Sequence, residues 1–420
     1  MIETLLVAAC YLTFFGNLGG VGTLMQVGAL GLVAAAAGYA VLQNRVKAIP
    51  VSSTELIMYA VGTVSAVLGV LGTETGPLYY SLGFLSALIL ISIVSRSVSL
   101  ERFLDIGAVA TLLCAITSIV VERGSMATAL SISMGKTGLI RLTPFGNHPN
   151  LTGYIFGAGS ILMIRRVLVS KSIIERLVMG AGVLLSWICV LAASARSSIL
   201  ALMVASSLAI VLEFRGSRFV SFKWLGIMLA VVIVIGFAFP DKIVSYLSRM
   251  LELESDTRGI ASGGSGRYDL WVRGLSTLFD DPMTLAFGGG FRSSSSDVIG
   301  FSTESSYVTI LLDSGLFIGV CVIFAFFYSP IKALRLSPPR NRHTSSLVLL
   351  PSFLTFLLVE SIFNRYLLAV GNPASLLTLM ILFSLSMRTR SGDSLEGAPP
   401  RWPLVSPGLS DGERPNQGPV

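Results

Sequence analysis

The sequence predicts an all-α fold: a polytopic membrane bundle of about twelve transmembrane helices with one long extracytoplasmic loop that contains short amphipathic helices. Three observations carry this expectation. The chain is 53% hydrophobic and only 13% charged, about half the charge of an ordinary soluble domain. Apolar runs near the roughly 20 residues needed to cross a bilayer recur along its whole length. Lysine and arginine gather in alternate connections, as a multi-pass topology requires.

Taken in order, spans are expected at 3–20, 22–42, 52–72, 76–95, 103–121, 148–164, 174–193, 197–213, 221–240, 305–328, 345–363 and 366–387, each end placed to within about three residues. Asn364 and Arg365 divide the last pair. The first run lacks a basic leading segment and continues directly into further spans, so a cleaved signal peptide is not expected. Cys10, Cys114, Cys189 and Cys321 all fall inside expected spans without CxxC spacing, and read as small buried hydrophobes. With His148 and His343 alone, a multi-histidine metal site is not available, and no metal or other cofactor is expected.

Orientation follows from the cations. Of the 30 lysines and arginines, 19 lie in the connections after spans two, four, six, eight and ten or in the tail. The opposite side holds the rest, six of them in the long loop, which the positive-inside rule discounts. Both termini are therefore expected in the cytoplasm of an inner-membrane protein, with the 241–304 loop outside. The net charge of +7 reflects this asymmetry, so no nucleic-acid partner is expected. Residues 1–387 form the expected membrane domain. The Pro-, Gly- and Ser-rich tail from 388 to 420 cannot bury enough apolar surface to order itself and is expected to be disordered.

The chemistry is expected in the outward connections. In "SGRYDLWVRGLSTL", Tyr268, Trp271, Leu275 and Leu278 follow helical spacing, Ser265 stands as cap, and Pro282 ends the pattern. A second short helix is expected in "DKIVSYLSRMLELE". Arg267 sits at a helix N-terminus, where a cation is unfavourable unless an anion meets it. The alternative is a solvated side chain. Arg196, in "AASARSSIL", lies between two spans next to Ser197 at a helix start. It is either a snorkelling terminus or part of an anion site. Arg273, on another face, suits a structural role or a substrate contact. Glu304 in "STESSYV" reads as a carboxylate favoured at a helix start, or as a base or anchor for an acceptor hydroxyl. Asp313 has no evident partner. His148 and Asn150 in "FGNHPNLTGY" are helix-opening residues that also face the outer side. Glu360 and Arg365 are spaced to pair with each other.

The order "FGNHPN", "SARSS", "SGRYDLWVRGLSTLFDDP…FGGG", "TESSYVTILLDSGLFIGV" resembles the O-antigen ligase and polysaccharide polymerase superfamily over residues 140–328. The resemblance implies a GT-C-like membrane glycosyltransferase. Such an enzyme takes a glycan from undecaprenyl diphosphate on the outer face and passes it to a glycan acceptor, alongside other polysaccharide assembly proteins. In the ligases the last segment begins with a His-Asn pair and contains acid-x-Gly. Here Glu304 stands near the histidine position and Asp313-Ser314-Gly315 matches the acid-x-Gly. The replaced histidine favours polymerisation of a surface polysaccharide over ligase-type transfer to a non-carrier acceptor. On this reading Arg196 and Arg267 grip the diphosphate, Glu304 handles the acceptor hydroxyl, and Ser197, Arg273, His148 and Asn150 contact substrate. A lipid-linked oligosaccharide flippase is the competing class, but it has no need of a long structured outward loop.

Overall fold

A computed structural model describes residues 1–71, 75–131, 134–135, 138–214, 266–293, 300–336, 347 and 349–388. It is a helical membrane protein. The helices are α1 (Ile2–Thr13), α2 (Gly22–Leu42), α3 (Ser53–Leu71), α4 (Thr75–Ser95), α5 (Leu100–Val121), α6 (Arg123–Leu130), α7 (Pro149–Val169), α8 (Ile173–Ala192), α9 (Arg196–Phe214), α10 (Arg267–Asp280), α11 (Pro282–Phe287), α12 (Ser306–Leu336), α13 (Leu350–Phe363) and α14 (Pro373–Arg388). Seven of them, α2, α3, α4, α5, α7, α8 and α12, are long and apolar enough to cross a membrane, and α1, α9, α13 and α14 are shorter apolar helices. Eleven of the twelve expected spans therefore have helices. The twelfth, 221–240, lies outside the described residues, as do the expected helix in "DKIVSYLSRMLELE" and nearly all of the tail.

Local chemistry sets many boundaries. Ser99 and Ser172 cap α5 and α8 by accepting from the backbone N–H of Arg102 and Glu175. Pro149 and Pro282 open α7 and α11, where a missing N–H is harmless. The outer face of α12 carries Phe317, Val320, Phe324, Phe327 and Ile331 in alternating steps of three and four, and all are exposed apolar side chains. That is a lipid-facing stripe. By contrast, α7 and α14 are buried along most of their length and form the centre of the bundle.

The connections segregate to two ends. At one end Arg96 reaches Glu55 at 2.7 Å, Arg165 and Arg166 hold Asp105 at 2.8 and 3.1 Å, and Arg388 holds Glu101 at 2.6 Å. These arginines belong to the connections and helix ends assigned to the cytoplasm by charge. At the other end the loops around 142–147, 192–195, 303–306 and 364–367 bond to one another and to the end of α1.

The outward connection 122–147 holds α6 and a two-residue antiparallel pair, Met134–Gly135 with Gly138–Leu139. Two expectations need correction. The first helix stops at Thr13, short of residue 20, because the Phe14–Gly19 stretch turns to pack Phe14 and Phe15 on Phe145. The span expected at 305–328 runs on to Leu336 and is broken at Gly315, whose φ of 73° is open to glycine.

Candidate active site

The site is built where two helix starts meet a third helix end. Between α8 and α9 the chain turns through Ser194, which holds φ 46°. Arg141 secures this turn: its Nε donates to Ala193 O at 2.8 Å, and its guanidinium also reaches Ser194 O at 3.3 Å and Asn150 Oδ1 at 3.0 Å. Asn150 thus orients a loop arginine. On α7, a Cβ at Gly153 would collide with Ala195 Cβ and Ser198 Oγ, so only glycine lets α9 begin this close. Arg196 is the first residue of α9 and is half-buried.

The next two residues face a buried carboxylate. Ser197 Oγ and Ser198 Oγ donate to Glu360 Oε1 at 3.2 and 2.8 Å, and Asn364 Nδ2 donates to the same oxygen at 2.6 Å. Glu360 is fully buried near the end of α13. Its Oε1 is held by these three donors and not by the Arg365 that its spacing suggested. The backbone carbonyl of Asn364 accepts from the N–H of Ser306 at 3.0 Å, which locks the 304–306 segment against the 364–367 loop.

The second helix start is α10. Arg267 is its first residue, and Gly266, in the left-handed region, is the residue before it; the expected cap Ser265 lies outside the described residues. Arg267 lies over the Phe363 ring at 6.0 Å and within electrostatic reach of Glu360, His148 and Tyr366. Trp271 packs on the same Phe363 at 6.2 Å. Around this point Glu360 Oε2, Asn364 Oδ1 and Trp271 Nε1 are buried polar atoms with no hydrogen-bond partner among the described residues. Buried polar atoms are nearly always satisfied, so unmet acceptors and a donor beside an arginine mark a place suited to a polar ligand. The expected face of α10 also needs revision. Trp271 and Leu278 turn inward with Gly274, whereas Tyr268 and Leu275 stay exposed.

Glu304 is half-buried, accepts from Ser302 Oγ at 2.9 Å and holds φ 51°. It shares one electrostatic neighbourhood with His148, Arg267, Arg365 and Tyr366. Burial first, and then the Arg141 charge, holds His148 below the usual histidine pKa, with Glu304 opposing. His148 itself caps α7, its Nδ1 accepting from Asn150 N at 3.3 Å. Burial likewise pushes the Tyr366 phenol up, with Glu304 reinforcing it. Arg273 points away from this group and stacks over Phe301 at 4.3 Å.

Asp313 does have partners. It accepts from Arg292 N at 3.1 Å and Ser293 Oγ at 2.7 Å, while Gly289 and Gly290 donate to the carbonyls of Leu312 and Asp313 at 2.7 and 3.1 Å. The acid-x-Gly segment therefore seats the "FGGGFRS" loop. Gly288 and Gly315, both at positive φ, allow the two backbones to touch.

The structure thus brings Arg267, Glu304, His148 and, through Glu360, Ser197 to one end of the bundle, while Arg273 and Asn150 serve local contacts. From the sequence, Glu360 reads as a pair with Arg365 at the outward end of a span, a structural contact or part of a cavity lining, and Arg141, Asn364 and Tyr366 carry no site reading. A carboxylate four residues before an asparagine, at the end of an apolar run, was the available signal.

The family model described as O-antigen ligase matches residues 181–324, which take in the second half of α8, α9 to α11 and most of α12. No curated protein matches the chain. The family match supports assignment to the O-antigen ligase-like superfamily, and with it a membrane enzyme that is glycosyltransferase-like in the general sense.

Proposed function

We propose that the chain polymerises oligosaccharide repeat units carried on undecaprenyl diphosphate, as a glycosyltransferase of the inner membrane whose site opens outward. The observation that carries this reading is the meeting of the Arg267 helix start, the Ser197 helix start and the buried Glu360 at one membrane end. A lipid diphosphate leaves its chain in the bilayer and presents at least two negative charges at the surface. Arg267 and Arg196, each the first residue of a helix, add guanidinium charge to the positive ends of those helices. Because a diphosphate leaves readily, the main need is charge stabilisation as the glycosidic bond breaks. The anomeric C–O bond to the diphosphate breaks, the acceptor oxygen bonds to that carbon, and the acceptor proton is taken by Glu304. Glu304 near the position of the ligase histidine favours the polymerase over the ligase reading.

Reconstitution tests this. Purified protein in liposomes, supplied with glycan on undecaprenyl diphosphate, should yield longer carrier-linked chains and release free carrier. Movement of unextended glycan across the bilayer without chain growth would establish the flippase reading instead. Transfer only to an added non-carrier acceptor would establish the ligase reading.

A further inference from the structure

The outer surface of α10 and α11 has a character that the reaction does not require. At about 100° per residue, most of α10 falls on three faces, with the half-buried Leu270 and Thr277 in the remaining sector. Arg267, Trp271, Gly274 and Leu278 lie on one, and the last three pack against α12. Asp269, Arg273, Ser276 and Asp280 lie on a second, all exposed. The third holds Tyr268, Val272, Leu275 and Phe279, within a sector of about 60°. These are apolar yet exposed, Tyr268 by 62% and Phe279 by 60%. Past the Pro282 turn, Met283 and Phe287 on α11 continue the exposed apolar surface.

What this surface joins is visible. The backbone at Phe287 rests on Gly315, whose Cβ position lies 2.7 Å from Phe287 N. Gly315 stands two residues before Phe317, the first member of the lipid-facing stripe of α12, which continues through Val320 and Phe324. The end of α11 therefore lies within about one helical turn, along α12, of the start of the bilayer-facing stripe. A polar face, a packed face and an exposed apolar face at that height are the marks of an interfacial helix.

We infer that α10 and α11 form an interfacial element whose Tyr268, Val272, Leu275, Phe279, Met283 and Phe287 rest in the acyl boundary of the leaflet at the site end of the bundle. The occupant of this face is lipid. The seating fixes the height of Arg267 at the headgroup level, on the edge of the helix that turns toward Glu360.

Site-directed spin labelling in liposomes tests this independently of any catalysis. Single labels at Val272, Phe279 and Ser276 are placed in the full chain carrying Cys321→Ser, since Cys10, Cys114 and Cys189 are buried. A label at Phe324 reports authentic lipid exposure. Labels at 272 and 279 should be relaxed more by oxygen than by an aqueous nickel chelate, at a depth of about 5–10 Å below the headgroup boundary. The label at 276 should show the reverse preference. Nickel exceeding oxygen at 272 and 279 would overturn the inference, because the face would then be in water. Protection from both reagents would overturn it too, because protein would cover the face, whether another part of this chain or a second copy.

Discussion

Truncating Glu360 gives the sharpest test of how the site is held. Three donors converge on its Oε1, from Ser197, Ser198 and Asn364 at 3.2, 2.8 and 2.6 Å, and the residue is fully buried. Hydrogen bonds to a buried carboxyl contribute about 0.5–3 kcal/mol each, and they are not additive here. In Glu360→Ala the two serine hydroxyls lose their shared acceptor at the start of α9, where no helical turn precedes them. Asn364 Nδ2 keeps its 3.1 Å bond to Ser197 Oγ. Removing Oε2, a buried atom with no hydrogen-bond partner among the described residues, relieves its desolvation cost and offsets part of the loss. A net loss of about 3 kcal/mol remains, a fall of roughly 3–6 °C in melting temperature for a chain of this size. Glu360→Gln keeps a carbonyl oxygen for the same donors and should lie within about 1 kcal/mol of the parent. The assay is intrinsic tryptophan fluorescence during a temperature ramp of the protein in detergent, all variants at one scan rate. An alanine variant that melts with the parent would refute the assignment of Glu360 as the anchor. A glutamine variant that melts as low as the alanine variant would show that the hydrogen bonds to Oε1 are not the cause.

Three further outcomes are expected. Arg267→Ala should lower glycan transfer by roughly 10²–10³-fold, as for loss of one preorganised donor to developing charge, and Arg267→Lys should remain impaired because a point charge lacks the two-pronged geometry; liposome transfer assays read both, with melting temperature as the folding control. Asp313→Ala removes the acceptor of Arg292 N and Ser293 Oγ and should loosen the 288–293 loop by about 2–3 kcal/mol locally, seen as faster proteolysis there while the bundle melts near the parent temperature. His148 is held below its ordinary pKa, so the folded state binds fewer protons than the unfolded chain. Its contribution is complete above the unfolded value of about 6.5 and is lost as pH falls from there toward the folded value. Melting temperature should fall with pH in that window, and the slope should flatten in His148→Gln.

Much of this architecture was open to inspection in the amino-acid order, for a reason that belongs to the membrane. Bilayer thickness forces apolar runs of fixed length, and lysine and arginine mark one side. Hence the ends of α2, α3, α4 and α5 fall close to expectation, and the arginines of the charge-rich end are found together in the fold. The site was harder. Arg267 and Ser197 stand out locally, as charged or capping residues at helix starts. Their common partner Glu360 is more than ninety residues from Arg267 in the chain, and no local spacing pairs it with Ser197. Its apparent partner in sequence, Arg365, was the wrong one. The two faces of α10 were also hidden, because Tyr268 and Trp271 are both apolar and only the position of α12 decides which of them is buried. Asp313 looked isolated for the same reason: its partners are a backbone N–H and a serine about twenty residues away.

The backbone carries a further sign that these loops are held in place by more than their own preferences. Phe145, Ser194 and Glu304 all take left-handed φ, at 54°, 46° and 51°, and none is glycine. Each such residue stores of the order of 1–3 kcal/mol, and persists only where its surroundings over-determine it. The restraints are identifiable. Phe145 is packed between Phe14 and Phe15, the carbonyl of Ser194 is taken by Arg141, and Glu304 is fixed by Ser302 and by the Ser306–Asn364 link two residues on. Apart from the local Ser302 bond, each restraint comes from another part of the chain, and all of them act at the end of the bundle where Arg267 meets Glu360. The strain and its compensation therefore lie in one layer of loops. In such an arrangement a substitution in any one restraint, Arg141 included, shifts the turn before α9 and hence Ser197 relative to Glu360, because Arg141 ties that turn to Asn150.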